Sequence, residues 1–262
     1  MTEYLLENSK LEKLIDKFHG APYHHKGLAK NPFVNENHIE PNLEDFKKYM
    51  LSSNKLDYNF SGKSCAIIGS SPMLLDKEYG KEIDKYDYVV RCNEGEIEGY
   101  EKHAGSKTDF RMIGKKTFTN QNLEAGGFPS RWNWFPKLKN EHFILRPLFG
   151  NDTMKYKSIF DCLQQFHDRK DIRVSFVKDK LEQEVLNRTN HLGSTGFCAI
   201  LLFSTLVDCV DIYGFDHHLA SDTVQYYFLQ TNTKTSVHTH NFNGEKDFCS
   251  KLEKTGKLRR HV

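Results

Sequence analysis

The chain has 262 residues, long enough for a full α/β core, and its 37 Lys and Arg against 35 Asp and Glu leave a formal net charge of +2. So even a balance offers no global field to hold nucleic acid or an anionic membrane, and any anion must be gripped locally. The opening MTEYLLENSKLEKLIDKF breaks every apolar run with charge, so a signal peptide or membrane anchor is not expected there, and the chain reads as soluble.

The polar first sixty residues carry two amphipathic stretches, Tyr4 to Phe18 and Leu43 to Leu51, the second behind Pro41 and Asn42. They predict peripheral helices over 1–60, joined by the Gly- and Pro-punctuated APYHHKGLAKNPF, whose His24 and His25 read as solvated. From Ser64 the texture changes. The run CAIIG ends in Gly69-Ser70-Ser71-Pro72, followed by the helix-compatible MLLDKEYGKEI and then YDYVVR. The alternation recurs as HFILRP, SIFDCLQQFHD and DIRVSFV, and again as STGFCAILLFSTLVD followed by CVDIYGF. Strands alternating with helices predict a parallel sheet covered on both faces over 61–262. Six cysteines, Cys65, Cys92, Cys162, Cys198, Cys209 and Cys249, show no two-residue spacing of a zinc or redox motif and are expected to be reduced core thiols, with no metal site.

In an open parallel sheet the ligand lies where loops leave the carboxyl ends of the strands, at a switch in strand order. Three such loops carry small polar residues: Gly69-Ser70-Ser71, Arg91-Cys92-Asn93, and Gly193-Ser194-Thr195-Gly196 at the head of an apolar helix. A helix N-terminus of that composition offers N–H groups and hydroxyls to a phosphate or carboxylate, and it also serves plain helix capping. Gly69-Ser70-Ser71 lacks the further glycines of a dinucleotide fingerprint, and no lysine follows as in a P-loop, which argues against an oxidoreductase or an ATP enzyme.

Three ordered segments together resemble the animal-type sialyltransferase family. CAIIGSSPMLLDKEYGKEIDKYDYVVRCNEGEIEGYEKHAGSKTDF, from Cys65 to Phe110, looks like the family's large motif. GSTGFCAILLFSTLVDCVDIYGF, from Gly193 to Phe215, looks like its small motif. His240-Asn-Phe-Asn-Gly-Glu245 is similar to its very short motif. The resemblance implies a single-domain Rossmann-like, GT-A-variant glycosyltransferase fold with a mostly parallel central sheet flanked by helices. It implies an inverting transfer of sialic acid from CMP-sialic acid to a glycan acceptor hydroxyl, with no metal and no cofactor beyond the CMP-sugar donor. Ser70 and Ser71 would lie at the nucleotide, Asn93 at the phosphate or ribose of CMP, and Ser194, Thr195 and Gly196 at the sugar carboxylate and phosphate. His240 would be the general base, since imidazole titrates nearest working pH, with Glu245 orienting it or its surroundings. His238 competes for that role but has Asn243 where the family has Glu.

The pattern departs at three places. Ser70 stands where the family has Asn. The family's His-Tyr-rich tetrad is represented by Gln225-Tyr226-Tyr227-Phe228, so Gln225 or a tyrosine hydroxyl, of Tyr226 or Tyr227, would have to donate to the leaving phosphate, or His217 and His218 take over. The family joins its large and small motifs by a disulfide; here Cys65 is matched by Val207, with Cys209 two residues on, and free thiols are expected. Transfer of another CMP-activated ulosonic acid, Kdo or KDN, and a catalytically silent nucleotide-sugar-binding module are the competing readings. Location is expected to be cytoplasmic, or the Golgi lumen if an anchor was removed. The acceptor would be met by residues without resemblance, where Arg131-Trp132-Asn133-Trp134 is the aromatic candidate for sugar stacking.

Overall fold

The computed structural model describes residues 56–114, 140–146, 171–216, 226–228 and 240–261, with positions 5, 7–10, 12–13, 44, 47–48 and 51–52. His24, His25, Arg131 to Trp134, His217, His218, Gln225, His238 and the predicted SIFDCLQQFHD helix lie outside them. The chain forms two compact units, one of Met1, Leu5–Asp57 and Ile113–Val177, the other of Thr2–Tyr4, Tyr58–Met112 and Lys178–Val262.

The larger unit holds parallel strands β1 (Cys65–Ile68), β2 (Tyr88–Cys92), β6 (Val210–Tyr213) and β7 (Leu258–His261), together with β3 (Phe110–Gly114) as far as Met112. Their order is β3-β2-β1-β6-β7. The chain runs outward from β1 through β2 to β3 and returns on the other side of β1 at β6, so the topological switch lies between β1 and β6. β1 is buried at every position, as a central parallel strand covered on both faces must be. The smaller unit contributes the parallel pair β4 (His142–Arg146) and β5 (Arg173–Phe176), and an isolated antiparallel bridge joins Leu5 to Val177. The α/β fold with a parallel sheet is as expected; β3 and β7 carry no signal strong enough to have been predicted.

The helix-compatible MLLDKEYGKEI becomes two pieces. Pro72–Asp76 is a 3-10 turn capped by the Ser71 hydroxyl, and Gly80–Ile83 is the short helix α1. Lys77 between them is extended, which ends the first piece, and Gly80 packs so tightly on the Glu101 carbonyl that a Cβ has no room. Helix α2 (Glu101–Ala104) follows β2, and α3 (Asp179–Thr189) ends on Asn190 in the left-handed conformation with its N–H on the Leu186 carbonyl. Helix α4 (Thr195–Phe203) buries every residue from Phe197 to Phe203 and packs against β1, β2 and β6, which is why its sequence shows an unbroken apolar run rather than a stripe. Helix α5 (Phe242–Lys254) is amphipathic, with Asn241 as its cap and Lys251 and Lys254 facing the negative end of its dipole. Among the described residues no helix is long and apolar enough to cross a membrane.

Candidate functional site

The loops leaving β1 and β6 interlock at the switch point. Gly69 donates its N–H to the Tyr213 carbonyl (2.8 Å) and Ser71 to that of Gly214 (3.1 Å). Gly214 sits at φ +68°, open to glycine at little cost, and a Cβ on Gly69 would collide with the Gly214 carbonyl. A Cβ on Gly196, at the head of α4, would run into the ring of Phe215, and the same ring borders Gly69. Phe215 therefore joins the β1 loop to the α4 N-terminus, and the three segments converge only because two of their members lack side chains.

Ser71 is buried and its hydroxyl is used twice, donating to Asp216 Oδ2 (2.9 Å) and accepting from the Met73 N–H (3.3 Å). It shapes the loop. Ser70 is half-buried, and its carbonyl accepts the N–H of Tyr227 (2.9 Å). The hydroxyl of Tyr227 donates to the Glu96 carbonyl, so one tyrosine touches the loops after both β1 and β2. Tyr226 beside it is half-buried, its ring 5.3 Å from that of Phe228.

Asn93 adopts φ +50°, a left-handed conformation that asparagine tolerates better than most residues. Its N–H donates to Met112 (2.8 Å), and its carbonyl accepts from Arg111 Nη1 (2.9 Å), which also reaches the Gly95 carbonyl (3.3 Å). Arg91, equally buried, donates to Thr108 Oγ1 and to the carbonyls of Ala104, Gly105 and Lys107 at 2.8–3.0 Å. Asp84 accepts from Ser106 and Lys107, and Lys107 Nζ donates to the Tyr86 and Asp87 carbonyls. Much of the long motif thus binds itself and holds β2 and its loop in place.

The third convergence is at α4 and α5. Buried Glu245 accepts both the N–H and the hydroxyl of Ser194, each at 2.7 Å, while Ser194 Oγ caps α4 by accepting from Phe197 N (3.1 Å). The Ser194 hydroxyl proton is therefore committed to Glu245, and half-buried Thr195 and Gly196 follow at the head of the helix. Asn241 caps α5 and donates from Nδ2 to the Thr189 carbonyl (2.8 Å). His240, half-buried, has Nδ1 2.7 Å from the Leu192 carbonyl. A carbonyl only accepts, so a proton sits on Nδ1, and in the neutral ring the lone pair is then on Nε2.

Away from these loops, Asp211 is held by Arg259 through two bonds (2.8 and 2.7 Å) and by His261 (2.8 Å). Burial works to raise the Asp211 carboxyl, but these partners outweigh it and hold it below the usual range. Cys65 and Cys209 are free thiols, and burial pushes both above the ordinary thiol range. Among the described residues no group of three His, Cys, Asp or Glu is arranged to hold a metal. Sequence alone does not single out Phe215, Arg111 or Asn241, although Phe215 ends the small motif and Asn241 lies in the very short one; Tyr227 is marked by its place in the Gln225 to Phe228 tetrad.

A family model described as Glycosyltransferase family 29 (sialyltransferase) matches residues 20–257. The chain is 25% identical over 231 residues to a lactosylceramide alpha-2,3-sialyltransferase of Pan troglodytes, with 74% of this chain and 59% of that protein covered. It is 25% identical over 241 residues to the human CMP-N-acetylneuraminate-beta-1,4-galactoside alpha-2,3-sialyltransferase, covering 84% of this chain and 62% of the relative. It thus spans about three fifths of the length of these relatives. Among solved structures, a mammalian sialyltransferase superposes with TM-score 0.60 at 19% identity, covering 99% of this chain and 90% of that one. A mammalian sialyltransferase in complex with Gal-beta-1-3GalNAc-ortho-nitrophenol superposes with TM-score 0.57 at 18% identity, with the same coverage.

Proposed function

The chain belongs to glycosyltransferase family 29, the sialyltransferases, and from that premise we propose that it transfers sialic acid from CMP-sialic acid to a hydroxyl of a galactose-containing glycan, inverting the anomeric carbon, with His240 as general base and without a metal. The observation that carries this is the hydrogen bond from His240 Nδ1–H to the Leu192 carbonyl. It leaves Nε2 as the proton acceptor and gives the developing imidazolium an acceptor for its other proton.

The acceptor oxygen attacks the anomeric carbon and loses its proton to Nε2, while the bond from that carbon to the phosphate oxygen breaks and CMP departs with the electron pair. The α4 N-terminus, with the N–H groups of Thr195 and Gly196 at its head, suits the donor's carboxylate or phosphate. Glu245 serves as an orienting carboxylate, because both its oxygens are engaged with Ser194. A monophosphate leaving group needs donors more than a divalent ion, and the sequence has no Asp-x-Asp pair to hold one.

The test is CMP release from CMP-Neu5Ac and CMP-Kdo with a galactoside acceptor, with and without EDTA. Release from CMP-Neu5Ac that survives EDTA is expected. Release confined to CMP-Kdo would move the donor to another ulosonic acid, and turnover abolished by EDTA and restored by manganese would remove the metal-free mechanism.

A further inference from the structure

We propose that Tyr227 is a positioning residue that sets the spacing between the two donor loops, by tying the Ser70 carbonyl to the Glu96 carbonyl through its own N–H and hydroxyl; the proposal rests on the CMP-donor reading above. The tie is independent of the sheet. Ser70 follows β1 and Glu96 lies three residues beyond Asn93 in the loop after β2, and neither carbonyl belongs to a strand pairing.

Three features make Tyr227 a fixed strut. It is 7% exposed and packs with Ile68, Leu74, Val89 and Ala104 in one core cluster, so its ring has little freedom to swing. Its ring meets Tyr100 edge-on with centroids 5.0 Å apart, and Phe228 at 5.1 Å, which sets the direction of the hydroxyl. Burial pushes its phenol up to about 12 against the lowering influence of Arg91 and Arg111, so the hydroxyl keeps its proton and donates throughout any working pH.

Arg111 complements the strut from below. Its guanidinium holds the Asn93 and Gly95 carbonyls, anchoring the near end of the loop to β3, while Tyr227 anchors the far end at Glu96. Asn93 is thereby held from both sides at its positive φ, and beyond the pairing of Ile68 with Arg91 its distance from Ser70 is held by this one side chain. A nucleotide gripped by both loops would feel the loss of that spacing in its ground-state affinity, whereas proton transfer at His240, held by Leu192, would not.

Tyr227→Phe keeps the ring and its packing and deletes only the tie. It should weaken CMP binding, read by calorimetry, by about 3- to 10-fold, the worth of one hydrogen bond left unmade. The KM for the CMP-sugar should rise by the same factor, with kcat at saturating donor and the acceptor KM within about twofold. Tyr86→Phe, which deletes a half-buried phenol hydroxyl bonded to Tyr213 instead, should leave CMP affinity unchanged. Unaltered CMP affinity in Tyr227→Phe, or a parallel fall in turnover with both substrates, overturns the tie while leaving the transfer reading standing. Failure of the unaltered chain to bind CMP overturns both. Should Tyr227→Phe not accumulate as folded protein, hydrogen exchange on the unaltered chain reads the same coupling: CMP should protect amides at 70–71 and 93–97 together, and protection confined to one loop overturns it.

Discussion

Around His240 the contact to the main chain matters, since a backbone carbonyl can only accept and so fixes Nδ1 as the ring nitrogen that carries a proton. His240→Ala should leave CMP binding nearly intact and lower transfer by about 10²- to 10⁴-fold, the range for loss of a positioned base. The unaltered enzyme should slow on acidification, because only a neutral imidazole can take up the acceptor's proton. Steady-state rates against pH, with calorimetric CMP affinity for the variant, check both; near-wild-type transfer by His240→Ala would assign the base elsewhere. The hydroxyls show how far single residues are legible. The resemblance implies Ser71 at the nucleotide and Ser194 at the sugar carboxylate and phosphate, and in the fold their hydroxyls donate to Asp216, 145 residues away, and to Glu245, 51 residues away. Local sequence shows that a donor is present and not which distant acceptor folding will bring to it.

At the scale of elements, β4 carries a titration of its own. His142 is fully buried with Nε2 2.7 Å from Ser175 Oγ, and burial, reinforced by the charge of Arg173, pushes its imidazole down to about 3. The unfolded chain takes up that proton near pH 6.5 and the folded chain only near 3. The stability from keeping the ring neutral is therefore complete above about pH 6.5 and is lost progressively as pH falls toward 3. Urea unfolding across that window should show stability falling with a slope containing about one proton, roughly 1.4 kcal/mol per pH unit. His142→Gln, which keeps a polar partner for Ser175 and does not titrate, should remove that proton from the slope; an unchanged slope would place the titration elsewhere. The elements differ in legibility for a physical reason. β1, β2, β6 and α4 are buried nearly throughout and announce themselves as apolar runs. In β7, by contrast, only Leu258 is buried, and Arg259, Arg260 and His261 act through partners supplied by other segments.

For the molecule as a whole, the loops of the donor reading come together only in the folded chain, since those after β1, β2 and β6 meet through sheet registration and through Phe215 and Tyr227. A nucleotide bound there must stabilise the folded state by mass action. CMP at about 100 times its Kd should add about 2.7 kcal/mol and raise the melting temperature, whereas UDP and NAD at equal concentration should do much less. Equal shifts with all three in a thermal melt would sink the cytidine assignment.

The sequence by itself determined the parallel α/β architecture, because burial on both faces demands short unbroken apolar strands separated by turns and helices, and it marked the loops after β1 and β2 and the head of α4. It also placed His240 and Glu245 in one motif, by a spacing that puts them at the start of a single helix. The tertiary structure alone decided what each residue does there. Glu245 turns to Ser194, His240 to a carbonyl before that serine, and Tyr227 to two loops that precede it by more than a hundred residues. Hydrogen-bond partners are chosen by proximity in space, which a linear pattern of residue types does not encode until the sheet has aligned its strands.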